Sequence, residues 1–144
     1  MIDKFEGSYR WLSNFWEVPV VYEGVNWPTA EHAYQAAKFE DHIIRNKILD
    51  NPNPRSAKKY GKSQGMRTDW DNIKLRIMHD IVAAKFNQHH MLAEQLLATG
   101  NKQLIEGNWW GDKFWGVCKG EGENHLGKIL MQVREALKNG RNRD

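Results

Sequence analysis

Trp27-Pro28-Thr29-Ala30-Glu31-His32-Ala33-Tyr34-Gln35-Ala36-Ala37-Lys38-Phe39 is the stretch on which the fold turns. It reads as the start of a helix. Thr29 offers a side-chain oxygen to the open N–H groups of a first turn, and the alanine-rich run from Ala30 favours helix. Pro28 stands before the cap, where its missing N–H interrupts no helical bond. Glu31, Tyr34, Gln35 and Lys38 fall at i, i+3, i+4 and i+7, so they share one face, which makes either a surface or a site. Ala30, Ala33 and Ala37 form a neighbouring stripe of small side chains that lets another element approach closely. The ordinary role of Glu31 is to meet the positive end of the helix dipole, which would hold it ionised. The helix is expected either to stop near Glu40 or to continue, kinked, through Ile43, Ile44 and Ile48.

Before this stretch, residues 1–14 read as irregular. Val18-Pro19-Val20-Val21-Tyr22 is β-rich, Glu23-Gly24 signals a turn, and Val25-Asn26-Trp27 returns, so a small hairpin leads into the helix. After it, Asn51-Pro52-Asn53-Pro54 is a strong breaker, followed by a short basic helix from Arg55 to Lys62. Trp70, Ile73, Ile77, Ile81 and Ala84, widened by Leu75, Met78, Val82 and Phe86, predict a long helix over about 70–89. Met91 to Ala98 is a further helix stopped by Thr99-Gly100-Asn101. Leu104-Ile105-Glu106 is a short buried piece, strand or helix end. Gly107 to Asn124 is a glycine-rich loop with a short strand at 114–117. Asn124 caps a last helix whose core face is Leu126, Ile129, Leu130, Val133 and Leu137, and the tail from Asn139 to Asp144 is expected to fray. The fold class is therefore mainly α with a small β component, a single domain over residues 1–144 with an N-terminal β-hairpin.

Composition narrows the function classes. The 144 residues suffice for one buried core. No apolar run approaches the roughly 18 residues of a membrane span, so no membrane partner is expected. The N-terminus lacks an apolar signal segment, and the single cysteine, Cys118, excludes an internal disulfide, so the expected location is cytoplasmic. A net charge of +3 allows an anionic ligand but is too small to argue for nucleic acid. Seven tryptophans are unusual in so short a chain and suit a pocket for a planar ring, although core packing accounts for most of them.

The histidines lack metal-ligand spacing, so no metal and no cofactor is expected. Cys118 has no patterned histidine, GxSxG is absent, and Gly120-Glu121-Gly122 lacks a βαβ setting. Two arrangements survive. The start of the last helix near Asn124, with Lys119 and Lys128 close in sequence, could hold a phosphate on its N–H groups. Lys58, Lys59 and Lys62 could do the same, although a solvated face is the commoner outcome. Separately, Glu31 and Asp112 could form a carboxylate pair for cleaving a glycosidic bond. An oxocarbenium-like centre needs nearby negative charge, and water needs a base. The dipole at Glu31 favours a base, nucleophile or electrostatic stabiliser over a general acid.

At these residues the chain resembles the YbiA-like family, also called NADAR. The resemblance covers about Phe5 to Leu137 and rests on ordered blocks. They are Leu12-Ser13-Asn14-Phe15; Trp27-Pro28-Thr29-Ala30-Glu31-His32 with Gln35 and Lys38; Ala57 with Gly61; Arg67 and Trp70; and Lys85-Phe86. Leu97-Ala98-Thr99, Leu104-Ile105-Glu106, Asp112 with Trp115-Gly116, and Gly122-Glu123-Asn124-His125-Leu126-Gly127 leading to Leu130-Met131 and Arg134 complete the run. The resemblance implies a compact helical N-glycosidase acting on a ribosyl phosphate or ADP-ribosyl substrate, either a ribosylamino-pyrimidine phosphate of riboflavin synthesis or ADP-ribosylated guanine in nucleic acid. It maps the catalytic acids onto Glu31 and Asp112, the pocket tryptophans onto Trp70 and Trp115, and further substrate-holding positions onto Asn14, Gln35, Lys38, Arg67 and Asn124. Trp-Gly occurs twice, at 110–111 and 115–116, and the three-residue step from Asp112 to Trp115 favours the second copy. The competing class is a module that binds NAD or ADP-ribose without cutting it; a nucleic-acid interaction protein is a third.

Overall fold

The computed structural model describes residues 1–142. About 54% of the chain is helical and its strands are two or three residues long, which places it in the mainly α class with a small β component. The chain clusters into two compact units: Asn14–Gln88, and Met1–Ser13 together with the chain from His89 onward.

The unit Asn14–Gln88 opens with the expected hairpin. Strands β1 (Val20–Tyr22) and β2 (Val25–Trp27) pair antiparallel, Val20 opposite Trp27. Both turn residues, Glu23 and Gly24, have positive φ (51° and 77°), which fits a two-residue hairpin loop. Helix α1 (Ala30–Ala37) begins at Thr29, whose side chain accepts the His32 N–H. It stops after eight residues instead of continuing. Asp41 caps a separate helix α2 (His42–Leu49), so the choice between a stop and a kink resolves as a stop. Asn53 caps α3 (Pro54–Lys62), with Pro54 in the first turn, where a proline costs no hydrogen bond. Helix α4 (Trp70–Gln88) follows the predicted stripe, except that Leu75 is exposed. Helix α1 packs against α2, α3, α4 and the hairpin, so all eight of its residues are buried. The reading of its polar stripe as a surface is thereby corrected.

In the other unit, residues expected to be irregular form a 3₁₀ helix at Gly7–Leu12, with Trp11 and Leu12 buried. Helix α5 (His90–Ala98), with Leu92 and Leu96 buried, packs on α6 (His125–Asn142), with Leu130 and Val133 buried. Helix persists through Asn142, where fraying was expected; Arg143 and Asp144 lie outside the described residues. The expected strand at 114–117 is displaced: β3 (Gly107–Asn108) pairs in parallel with β4 (Val117–Cys118). Leu104 bridges to Ile2. Among the described residues no helix is long and apolar enough to cross a membrane, and no group of three or more His, Cys, Asp or Glu side chains is placed to hold a metal.

Candidate active site

Within Asn14–Gln88, two of the predicted residues, Asn14 and Gln35, hydrogen-bond Glu31. The Glu31 backbone N–H donates to the Asn14 carbonyl at 3.1 Å, which ties the start of α1 to the segment before the hairpin. The Asn14 side chain, also buried, donates to the Met78 sulfur of α4 at 3.2 Å. One turn on from Glu31, Gln35 donates from Nε2 to Glu31 Oε1 at 2.7 Å. The other carboxylate oxygen, Oε2, accepts no hydrogen bond from the described residues, yet it is not among the atoms sealed from solvent without a partner. Glu31 is 7% exposed, so this oxygen carries accessible surface. One oxygen is held and one is offered.

Burial pushes the Glu31 carboxyl above its ordinary range, against the Gln35 hydrogen bond and the charges of Lys58, Lys38 and Lys62, which pull it down. Burial thus acts against the dipole, which is expected to hold the carboxylate ionised. An N-terminal dipole is worth about 0.3–1 kcal/mol at a surface, and burial of a carboxyl can outweigh it several-fold. Lys38 moves the opposite way. Burial lowers its pKa, Glu31 raises it, and Lys62, Lys58 and Lys74 lower it further. Its Nζ lies 5.5 Å from the centre of the Tyr34 ring.

Lys58 and Lys62 were identifiable as basic residues of a helix but not as neighbours of a site. They fall at i and i+4 on α3, with Gly61 on the same face against Gln35. Tyr34 was also missed as a contact. Its ring lies 5.3 Å from that of Trp70, tilted by 57°, and Trp70 is buried. Arg67 donates its backbone N–H to the Lys38 carbonyl at 2.9 Å. Its guanidinium grips Asp69 through Nε and Nη2, at 2.6 and 3.1 Å, and reaches Glu40 at 3.5 Å.

The second unit holds Asp112, Trp115 and Asn124. Asp112 Oδ1 accepts the N–H groups of Phe114 and Trp115 at 3.1 and 3.0 Å. The Asp112 side chain is thus tied to the second Trp-Gly copy through the Trp115 N–H. The two glycines differ accordingly. Gly111 has φ of 87° and open space around it. Gly116 lies so close to Glu106 that any side chain there would collide with the Glu106 carbonyl. Asn108 closes the turn by accepting from the Asp112 N–H and donating to the Asp112 carbonyl, at 3.0 and 2.8 Å. Trp115 meets Phe114 edge-on at 4.8 Å and His125 at 6.4 Å.

Asn124 has φ of 53° and a buried side chain whose Oδ1 accepts the Glu106 N–H and whose Nδ2 donates to the Leu104 carbonyl, both at 3.0 Å. Its carbonyl accepts from Lys128, so it does open α6, but its side chain clamps 104–106 instead of capping its own helix. The N–H groups of Asn124, His125 and Leu126 are taken by the carbonyls of Gly116, Phe114 and Trp115. The phosphate site expected at this helix start is therefore not open: its donors are used to fasten the loop that carries Asp112.

A buried carboxyl with one free oxygen, an amide behind it and lysines around it is a plausible acid–base centre for an anionic substrate. Comparison with known proteins places the chain in a group. The NADAR domain profile matches residues 2–138. The chain belongs to the NADAR family. It is 39% identical over 133 residues to the N-glycosidase YbiA of Escherichia coli, covering 90% of this chain and 82% of that protein. It is 39% identical over 137 residues to an N-glycosidase of Nostoc punctiforme, covering 91% and 87%. A riboflavin biosynthesis protein of Vibrio vulnificus is 41% identical over 133 residues, but the chain spans only 36% of that protein's length. The NMR structure of E. coli YbiA superposes with a TM-score of 0.88 at 35% identity, covering 100% of this chain and 90% of that one. An N-glycosidase is a hydrolase acting on N-glycosyl bonds, and this NADAR chain is an enzyme of that class.

Proposed function

We propose that the chain hydrolyses the N-glycosidic bond of a ribosyl phosphate or ADP-ribosyl substrate, with a ribosylamino-pyrimidine phosphate as the first candidate and ADP-ribosylated guanine as the second. The observation that carries the reading is Glu31: buried, held through one oxygen, open through the other, and surrounded by Lys38, Lys58 and Lys62. The lysines suit a phosphorylated substrate. The names of the Vibrio protein and of a maize riboflavin biosynthesis protein, 35% identical over 124 residues but matched over only 20% of its length, support the pyrimidine candidate.

In this mechanism the bond from the anomeric carbon to the base nitrogen breaks, and its electron pair leaves with the nitrogen, which takes up a proton. Water adds to the anomeric carbon and gives up a proton. Glu31, through Oε2, stabilises the positive charge developing on the sugar or takes the proton from water. The family resemblance gives Asp112, whose Oδ1 is committed to the backbone, the role of orienting the ribose or of the complementary acid–base group. The expected setting is the cytoplasm.

The test is a panel of ribosylamino-pyrimidine phosphates, NAD, ADP-ribose and DNA carrying ADP-ribosylated guanine, assayed for released base or sugar. Glu31→Gln is expected to abolish release in a protein that stays folded. Near-normal turnover by that variant refutes the assignment. Binding of NAD or ADP-ribose with the ligand intact after long incubation would establish a binding module in its place.

A further inference from the structure

The two ends of the Gln35 amide are in unlike positions. Nε2 donates to the Glu31 carboxylate, whereas Oε1 is sealed from solvent with no hydrogen-bond partner, the one buried side-chain nitrogen or oxygen among the described residues in that condition. Gln35 as a whole is 1% exposed. An unpaired buried acceptor is costly, so something must hold the amide where it is. Helix α3 does so. A Cβ at Gly61 would sit 2.1 Å from Gln35 Oε1, 3.0 Å from its Cδ and 3.3 Å from its Cβ. The amide therefore fills the space that any other residue at position 61 would occupy. Gly61 does not have the positive φ that calls for glycine, so close approach of the amide is what requires it.

We propose that Gln35 and Gly61 are positioning residues for Glu31: Gly61 admits the amide between α1 and α3, and the amide fixes Glu31 Oε1 so that Oε2 faces the substrate. The inference rests on the reading of Glu31 as the catalytic carboxyl. The same geometry serves both protonation states. With Glu31 ionised, Nε2 donates to it. With a proton on Oε2, the oxygen that meets water, Nε2 goes on donating to Oε1. A carboxyl that gains and loses a proton during turnover thus keeps a hydrogen bond throughout. The charged groups acting on it are Lys38 on α1 and Lys58 and Lys62 on α3.

The experiment follows the Glu31 carboxyl carbon by NMR in glutamate-labelled protein, with the signal assigned by its loss in Glu31→Gln. It is paired with the pH profile of base release. In Gln35→Met, which keeps length without the amide, the Glu31 titration is expected to move up by about one pH unit or more, the value of a hydrogen bond to a charged group. The limb of the kcat/KM profile that coincides with it should move with it, and kcat should fall about ten-fold with little change in KM. Gly61→Ala should reproduce both effects, and the double variant should be no worse than Gln35→Met. An unmoved Glu31 titration in Gln35→Met, or additive effects in the double variant, overturns the proposal. If Gly61→Ala does not fold, Gln35→Met alone decides. If the native chain releases no base from any substrate, the proposed function fails, and the carboxyl titration still tests the positioning.

Discussion

Replacing Asn124 by alanine removes a clamp, and the structure sets the size of the loss. Its side chain is the partner of the Glu106 N–H and of the Leu104 carbonyl, both on the chain buried beside α6. Leaving a buried donor or acceptor unpaired costs about 1–3 kcal/mol each. Alanine at φ of 53° adds about 1 kcal/mol of left-handed strain, which glycine avoids. The expected destabilisation is about 3–7 kcal/mol for Asn124→Ala, and about 1 kcal/mol less for Asn124→Gly. Urea unfolding followed by tryptophan fluorescence measures the total. Hydrogen exchange at the Glu106 amide measures the local opening, and it should accelerate more than exchange in α4. Because the N–H groups of residues 123–126 fasten the carbonyls of Lys113–Gly116, the loop carrying Asp112 should loosen as well, so activity falls together with stability. If Asn124→Ala unfolds within about 0.5 kcal/mol of the native chain while its KM rises sharply, the clamp is not what the side chain is for, and a direct contact with substrate replaces it.

Two further predictions concern pH. Burial lowers the His32 imidazole below its ordinary value, so the unfolded chain binds the proton more readily; the stability His32 confers is present above about pH 6.5 and is lost as pH falls through the folded value, and urea midpoints should drop more steeply between pH 7.5 and 5 than in His32→Asn. Burial brings Lys85 down to about 7, so its contribution to stability is complete above the ordinary lysine value near 10.5 and declines as pH falls toward 7; Lys85→Met should flatten that dependence, and urea midpoints that rise equally from pH 7 to 10 in both proteins refute it.

The elements legible in the sequence are those that local chemistry decides. Thr29 caps a helix because its oxygen reaches a first-turn N–H group, Glu23-Gly24 turns the hairpin because both adopt positive φ, and α4 follows its apolar period. Other features depend on what packs around a segment. The spacing of Glu31, Tyr34, Gln35 and Lys38 shows that they share a face, but not that five elements cover the helix on every side. Leu75 belongs to the apolar period and is exposed because the neighbouring elements do not reach it. Lys85 sits in the same helix with an ordinary charged name and is enclosed. The parallel pair β3–β4 is two residues long, too short to leave a pattern. At the site, the family blocks point to Glu31 and Asp112, and the Asp112–Trp115 turn makes the spacing physical. Gly61 is different: as a glycine near a helix end it reads as a stop signal, and only the amide pressed against it reveals its use.

Burial alone does not mark a functional group in this fold, and α1 contains the control. His32 and Glu31 are adjacent and both buried. His32 has each ring nitrogen matched, Nδ1 to the Thr29 hydroxyl at 2.8 Å and Nε2 to the Asn51 carbonyl at 3.0 Å, so it pins the helix start to the end of α2 and asks nothing of solvent. Glu31 keeps one oxygen open, Gln35 leaves one acceptor unpaired, and Lys38 is a buried amine with no carboxylate within ion-pair distance among the described residues. A stability-driven core would have matched these groups or replaced them with apolar ones. Their protonation equilibria also move toward each other: the carboxyl up, the amine down, each restrained by the other's charge. The incomplete matching of α1, more than its burial, is what supports the proposed role of Glu31.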